Sequence, residues 1–200
     1  PRLRSFWCLG SVALSPEGLQ GLARNSRLAA SLEELVVVHG MPLDPIDESL
    51  AARVFADWRL PALRVLELDR CWFTTNPDRM ATLIRGAPNL QTFVKTGETG
   101  RKEIEALLEC HGLETLQLDV QLDLQTLERV LALPHLTSLM FRGGTDQHRA
   151  MIVERLLALP ASHSLRRLRV VNNQVLDPSI ECGGPLNQRF PWPVPRPWID

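Results

Sequence analysis

The sequence carries little excess charge of either sign: 22 Lys and Arg side chains stand against 23 Asp and Glu, a formal net charge of −1. So balanced a chain has no global pull toward nucleic acid or an anionic membrane surface. It also lacks a long hydrophobic run. No stretch approaches the roughly eighteen apolar residues that a membrane-spanning helix requires. No charged-then-apolar leader opens it, and its first residue is Pro1 rather than Met, which predicts a processed chain or a piece of a longer one. Cysteine is sparse, with Cys8, Cys71, Cys110 and Cys182 far apart and no CxxC among them. Together with the absence of any Asn-x-Ser/Thr acceptor, this predicts buried thiols and a cytoplasmic setting rather than a disulfide framework.

The usual signatures of chemistry are missing as well. His39, His111, His135, His148 and His163 are scattered, and only Cys110-His111 are adjacent, which cannot aim both side chains at one ion. Gly97-Glu-Thr-Gly100-Arg-Lys102 has two residues between its glycines where a phosphate-binding loop has four, and no Lys-Ser/Thr follows. It reads instead as a helix cap and turn. Ser164 beside His163 is a pair of chain neighbours, and no Gly-x-Ser-x-Gly elbow exists. No pair of carboxylates is set apart by an apolar pocket that would split their pKa values. The expectation is no catalytic residue, no metal and no cofactor. An enzyme would require a carboxylate such as Asp119 to carry an activity.

What the sequence does contain is a repeated phrase, Leu-x-x-Leu-x-Leu, in whole or degraded form. It occurs at Leu3/Phe6/Cys8, Leu32/Leu35/Val37, Leu63/Leu66/Leu68, Leu90/Phe93/Lys95, Leu113/Leu116/Leu118, Leu136/Leu139/Phe141 and Leu165/Leu168/Val170. The spacings between first leucines are 29, 31, 27, 23, 23 and 29. Recurrence on this scale is the mark of a solenoid, in which each unit leans on its neighbours and the array forms one domain. Within the phrase the apolar residues alternate, as in Leu66-Glu67-Leu68, the period of a strand with one buried face. Between phrases the period becomes helical: Leu19/Leu22/Ala23, Ala51/Val54/Phe55, Met80/Leu83/Ile84, Ile104/Leu107/Leu108, Leu127/Val130/Leu131 and Val153/Leu156/Leu157.

Punctuation agrees with the period. Ser15-Pro16, Asp44-Pro45, Asn76-Pro77 and Asp177-Pro178 each set an N-cap before a proline at the first helical position. Thr99, Asp123 and Asp146 are the expected caps elsewhere. Leu60-Pro61, Ala87-Pro88 and Leu133-Pro134 end helices and turn the chain toward the next strand. Strand, turn and helix in repetition predict an α/β right-handed solenoid of about seven repeats, with a parallel concave sheet and helices on the convex side. Two places depart from the pattern. Lys95 occupies an inward slot, so a bulge or a side chain reaching to an edge is expected there. After residue 181, Gly183-Gly184, five prolines from Pro185 to Pro197, and Trp192 and Trp198 make a Pro/Trp-rich tail over 182–200 that either caps the last repeat or extends as a polyproline-like ligand.

Leu63-Arg-Val-Leu66-Glu-Leu68-Asp-Arg-Cys71 and Leu165-Arg-Arg-Leu168-Arg-Val170-Val-Asn-Asn173 resemble leucine-rich repeats. The helical intervals are similar to those of the ribonuclease-inhibitor-like subclass. The resemblance covers residues 1–181 and implies a leucine-rich repeat domain that recognises other proteins without catalysis. Irregular spacing makes it most similar to the repeats of F-box-type ubiquitin-ligase receptors or of large bacterial repeat proteins, so substrate recognition for such a ligase is the alternative expectation. Fold of this kind fixes no particular partner.

In such a fold the residues alternating with the inward leucines line the concave face. Trp7, Val36, Val38 and Met140 are candidate apolar anchors, and Glu67, Asp69, Asp119, Arg142, Arg167 and Arg169 are candidate charged contacts. The inferred surface grades from apolar through acidic to basic along the chain. The competing expectations are that Trp7 packs against preceding repeats and that the arginines form an ordinary solvated face. A monomer binding another protein is expected, with neither membrane nor nucleic acid as partner.

Overall fold

A computed structural model describes residues 3–8, 21, 24–38, 58–69, 77–97, 99–142, 145–160 and 163–171. In chain order the elements are β1 (Ser5–Cys8), α1 (Ser26–Ser31), β2 (Glu34–Val38), β3 (Val65–Asp69), α2 (Pro77–Arg85), β4 (Thr92–Lys95), α3 (Arg101–Leu108), β5 (Thr115–Gln121), α4 (Leu124–Leu131), β6 (Ser138–Arg142), α5 (Asp146–Leu157) and β7 (Arg167–Val171). All seven described strands belong to one sheet, in the order of the chain. Every neighbouring pair is parallel. A single parallel sheet whose strands alternate with helices is a solenoid-like α/β arrangement.

The repeated phrase generates this regularity at atomic scale. The residue after each first leucine bonds its counterpart one unit back. Arg64 N–H donates to Glu33 O, Gln91 to Arg64, Glu114 to Gln91, Thr137 to Glu114 and Arg166 to Thr137, each at 2.8 Å. The first leucine closes the turn out of the preceding segment in the same way: Leu63 onto Leu60, Leu90 onto Ala87, Leu113 onto Cys110 and Leu136 onto Leu133. These bonds satisfy backbone groups that the turns would otherwise leave buried and unmet.

The register stacks Phe6, Leu35, Leu66, Phe93, Leu116, Leu139 and Leu168 as one ladder across the strands. The buried helix residues, among them Leu83 and Ile84 of α2, Leu107 of α3, Leu127 of α4 and Leu156 of α5, join these strand residues in one core cluster. Burying a Leu of this kind contributes about 1.5–3 kcal/mol, so the ladder outweighs any surface feature in setting the fold. On the outside, ion pairs link successive units: Asp78 with Lys102, Arg85 with Glu109, Glu105 with Arg129 and Glu128 with Arg155.

Three expectations require correction. Lys95 neither bulges the strand nor reaches an edge. It pairs in register with Leu68 and Leu118, and is 1% exposed. Its ammonium meets the Glu103 carboxylate at 2.6 Å, with neither side chain reaching water. The α3 cap is Gly100, not Thr99, because Glu103 Oε2 accepts from the Gly100 N–H at 2.5 Å. For α5 the cap is Thr145, whose hydroxyl accepts from His148 N–H, in place of Asp146. Asp123 caps α4 as expected and α2 begins at Pro77. A short helix at Ser26–Ser31, capped by Asn25, stands where no separate helix was expected. The caps at Ser15, Asp44, Asn76 and Asp177, the triplet Ala51/Val54/Phe55, Leu19 and its partners, Cys71, Cys182, Asn173 and the 182–200 tail lie outside the described residues. Among the described residues no helix is long and apolar enough to cross a membrane.

Candidate functional site: the open face of the sheet

Alternation along each strand sends one set of side chains to the core and the other to the opposite face. The register arranges that second set in rows across the strands. One row runs Ser5, Glu34, Val65, Thr92, Thr115, Ser138 and Arg167, and the next runs Trp7, Val36, Glu67, Val94, Gln117, Met140 and Arg169. Val38 pairs with Asp69, and Arg142 with Val171, in a third row. None of the described side chains in these rows belongs to the core cluster. The expected face residues therefore share one surface.

Their states differ. Trp7 is 62% exposed, and its indole N–H donates to Glu34 Oε2 at 3.2 Å, which fixes the ring against β2. Val36 and Val94 are only 6% and 8% exposed, so they act as floor rather than as projecting anchors. Val38 and Met140 are half-buried. Asp69 accepts from the Thr96 hydroxyl. Asp119 is engaged twice, by Arg142 through a bidentate pair with one arm at 2.6 Å and by the Gly97 N–H at 3.3 Å. Gly97 sits at φ 89, the left-handed region that favours glycine. The β5–β6 register shifts between Gln117 and Gln121, and Asp119 lies in that irregular stretch.

Glu67 is the exception among the acids. It is half-buried between Val36 and Val94 in its row, and among the described residues no hydrogen bond reaches its carboxylate. Loss of water, then the charge of Asp69, pushes its carboxyl above the ordinary range. At the far end, Arg167 is exposed and Arg169 half-buried. The grading expected from sequence thus reduces to an acidic end at β2–β3, a neutralised Asp119–Arg142 pair, and a basic end at β7.

Sequence reasoning missed the Lys95–Glu103 pair. Its available signal was the eight-residue spacing that sets an apolar-slot lysine above an acid in the first turn of the next helix. Two of the described histidines bond to the backbone of the preceding unit: His148 Nε2 lies 2.8 Å from Leu122 O, and His163 Nε2 lies 2.9 Å from Leu131 O, while His111 and His135 are exposed. Among the described residues no three His, Cys, Asp or Glu side chains converge to hold a metal. No protein-family model, curated protein or solved structure matches the chain.

Proposed function

We propose that the chain is a right-handed leucine-rich repeat solenoid that binds another protein, non-catalytically, on the concave wall formed by the open face of its sheet. One observation carries this reading. The seven described strands, parallel and in register but for the one shift between β5 and β6, devote one set of alternate side chains to a single core and leave the other set, including an exposed tryptophan, outside it. A solenoid offers such a wall because its units stack in one direction and helices crowd only one side. The composition of the wall fits recognition: an aromatic side chain, apolar floor residues and separated charges of both signs. Asp119, the carboxylate that an enzymatic reading would need, is already held by Arg142 and Gly97.

The test is retention of proteins from a cell extract on immobilised wild type and on a Trp7→Ala/Arg167→Glu variant. Both substituted residues are exposed, so the variant is expected to melt as wild type does and to lose retained proteins. Equal retention by the folded variant contradicts the reading. A steep loss of binding with added salt would point instead to nucleic acid.

A further inference from the structure

The open face is electrically polar along the stacking direction. Glu34, Glu67 and Asp69 project from β2 and β3, and among the described residues no cationic side chain stands in these rows on β1 to β4. Arg142 is paired with Asp119, and Arg167 stands exposed at the positive end on β7. Two of the three acids are already in use: Glu34 takes the Trp7 indole and Asp69 takes the Thr96 hydroxyl. Glu67 has lost much of its water to Val36 and Val94 without gaining a donor from any described residue. A carboxylate so placed gains most from a donor brought by another molecule, since an unmet, partly desolvated acceptor is costly.

Building on the docking reading above, we infer that the partner lays an extended segment across the strands, with a Lys or Arg side chain on Glu67 and an Asp or Glu side chain on the Arg167 end. The spacing follows from geometry. Parallel strands lie about 4.8 Å apart, so β3 and β7 are separated by about 19 Å, which an extended peptide at about 3.3 Å per residue covers in about six residues. Trp7 lies two strands to the other side of Glu67, about 10 Å away, so an apolar residue about three positions beyond the basic one meets the indole. Charges at that separation act on register and orientation, while Trp7 and Met140 supply the apolar contact.

Panning a random twelve-residue displayed-peptide library on the purified chain tests this. The expected selection holds a basic and an acidic residue five to seven positions apart. Against Glu67→Gln the best peptide is expected to bind about tenfold more weakly, and repeat selection should lose the basic preference. Against Arg167→Glu the acidic preference should disappear. Selected peptides without this pairing, or with unchanged affinity for Glu67→Gln, overturn the inference and leave the docking face standing. Failure to select any peptide, or peptides indifferent to both Trp7→Ala and Met140→Ala in variants that keep the wild-type circular dichroism, overturns the docking face itself and the inference with it.

Discussion

A thiol packed among aliphatic side chains loses the water that would stabilise its thiolate. Cys110 sits in that position at the turn after α3, and burial, reinforced by the nearby Glu109 charge, pushes its pKa up to about 11. Cys8 is shifted upward for the same first reason. Because the thiolate is the nucleophile, both residues are inert in the folded chain. At pH 8, iodoacetamide is expected to leave Cys8 and Cys110 unmodified in the native protein and to alkylate both in denaturant, read by peptide mass mapping; native labelling of Cys110 would contradict its burial. The sign of the linkage follows. An unfolded thiol ionises near 9.0 and the folded Cys110 near 11, so this group weakens folding as pH rises through that interval. The burial of Cys8 was legible because it falls where the repeat places its third leucine. The isolation of Glu67 was not, since it depends on which neighbours across the strands are valines.

At the scale of an element, the fourth unit shows what a pattern of apolar slots cannot reveal. A lysine in an inward slot looked like a defect, yet β4 keeps its register and α3 supplies the compensating charge from its first turn. Burial raises the Glu103 carboxyl above its ordinary value, while the Lys95 bond, the Lys95 charge and the Gly100 N–H pull it back down. One acid thus closes the helix start and neutralises the core cation. Removing one partner of such a pair strands a charge in a dry interior, whereas removing both is far milder. Lys95→Met is therefore expected to cost about 3–5 kcal/mol in denaturant unfolding. Lys95→Met/Glu103→Gln, which keeps an acceptor for Gly100, should recover most of that loss. Equal destabilisation by the single and double variants would show that the pair is not coupled. Helix starts were legible to within one residue at Asp123 and Pro77. Thr99 and Asp146 failed as caps because a neighbour, Gly100 or Thr145, holds the capping geometry.

For the whole molecule, period and alternation in the sequence were enough to place the described parallel strands in chain order, because each unit repeats the same local rules and pairs its strand with that of the next. The face carrying Trp7, Glu67 and Arg167 was legible for the same reason. The Asp119–Arg142 ion pair was legible too, since both residues stand six positions after the first leucine of successive units, whereas the β5–β6 register shift beside it was not. A core ladder on one side of the sheet and a face outside the core cluster on the other make a claim that adjacent positions of one strand can test. Leu116 belongs to the ladder, and Gln117, the next residue, belongs to the wall. The most direct measurement is thermal unfolding of Leu116→Asp beside Gln117→Asp, followed by circular dichroism. Leu116→Asp is expected to abolish cooperative melting across several units, while Gln117→Asp melts within a few degrees of wild type. Similar curves for the two variants, or a stable Leu116→Asp protein, would contradict the account.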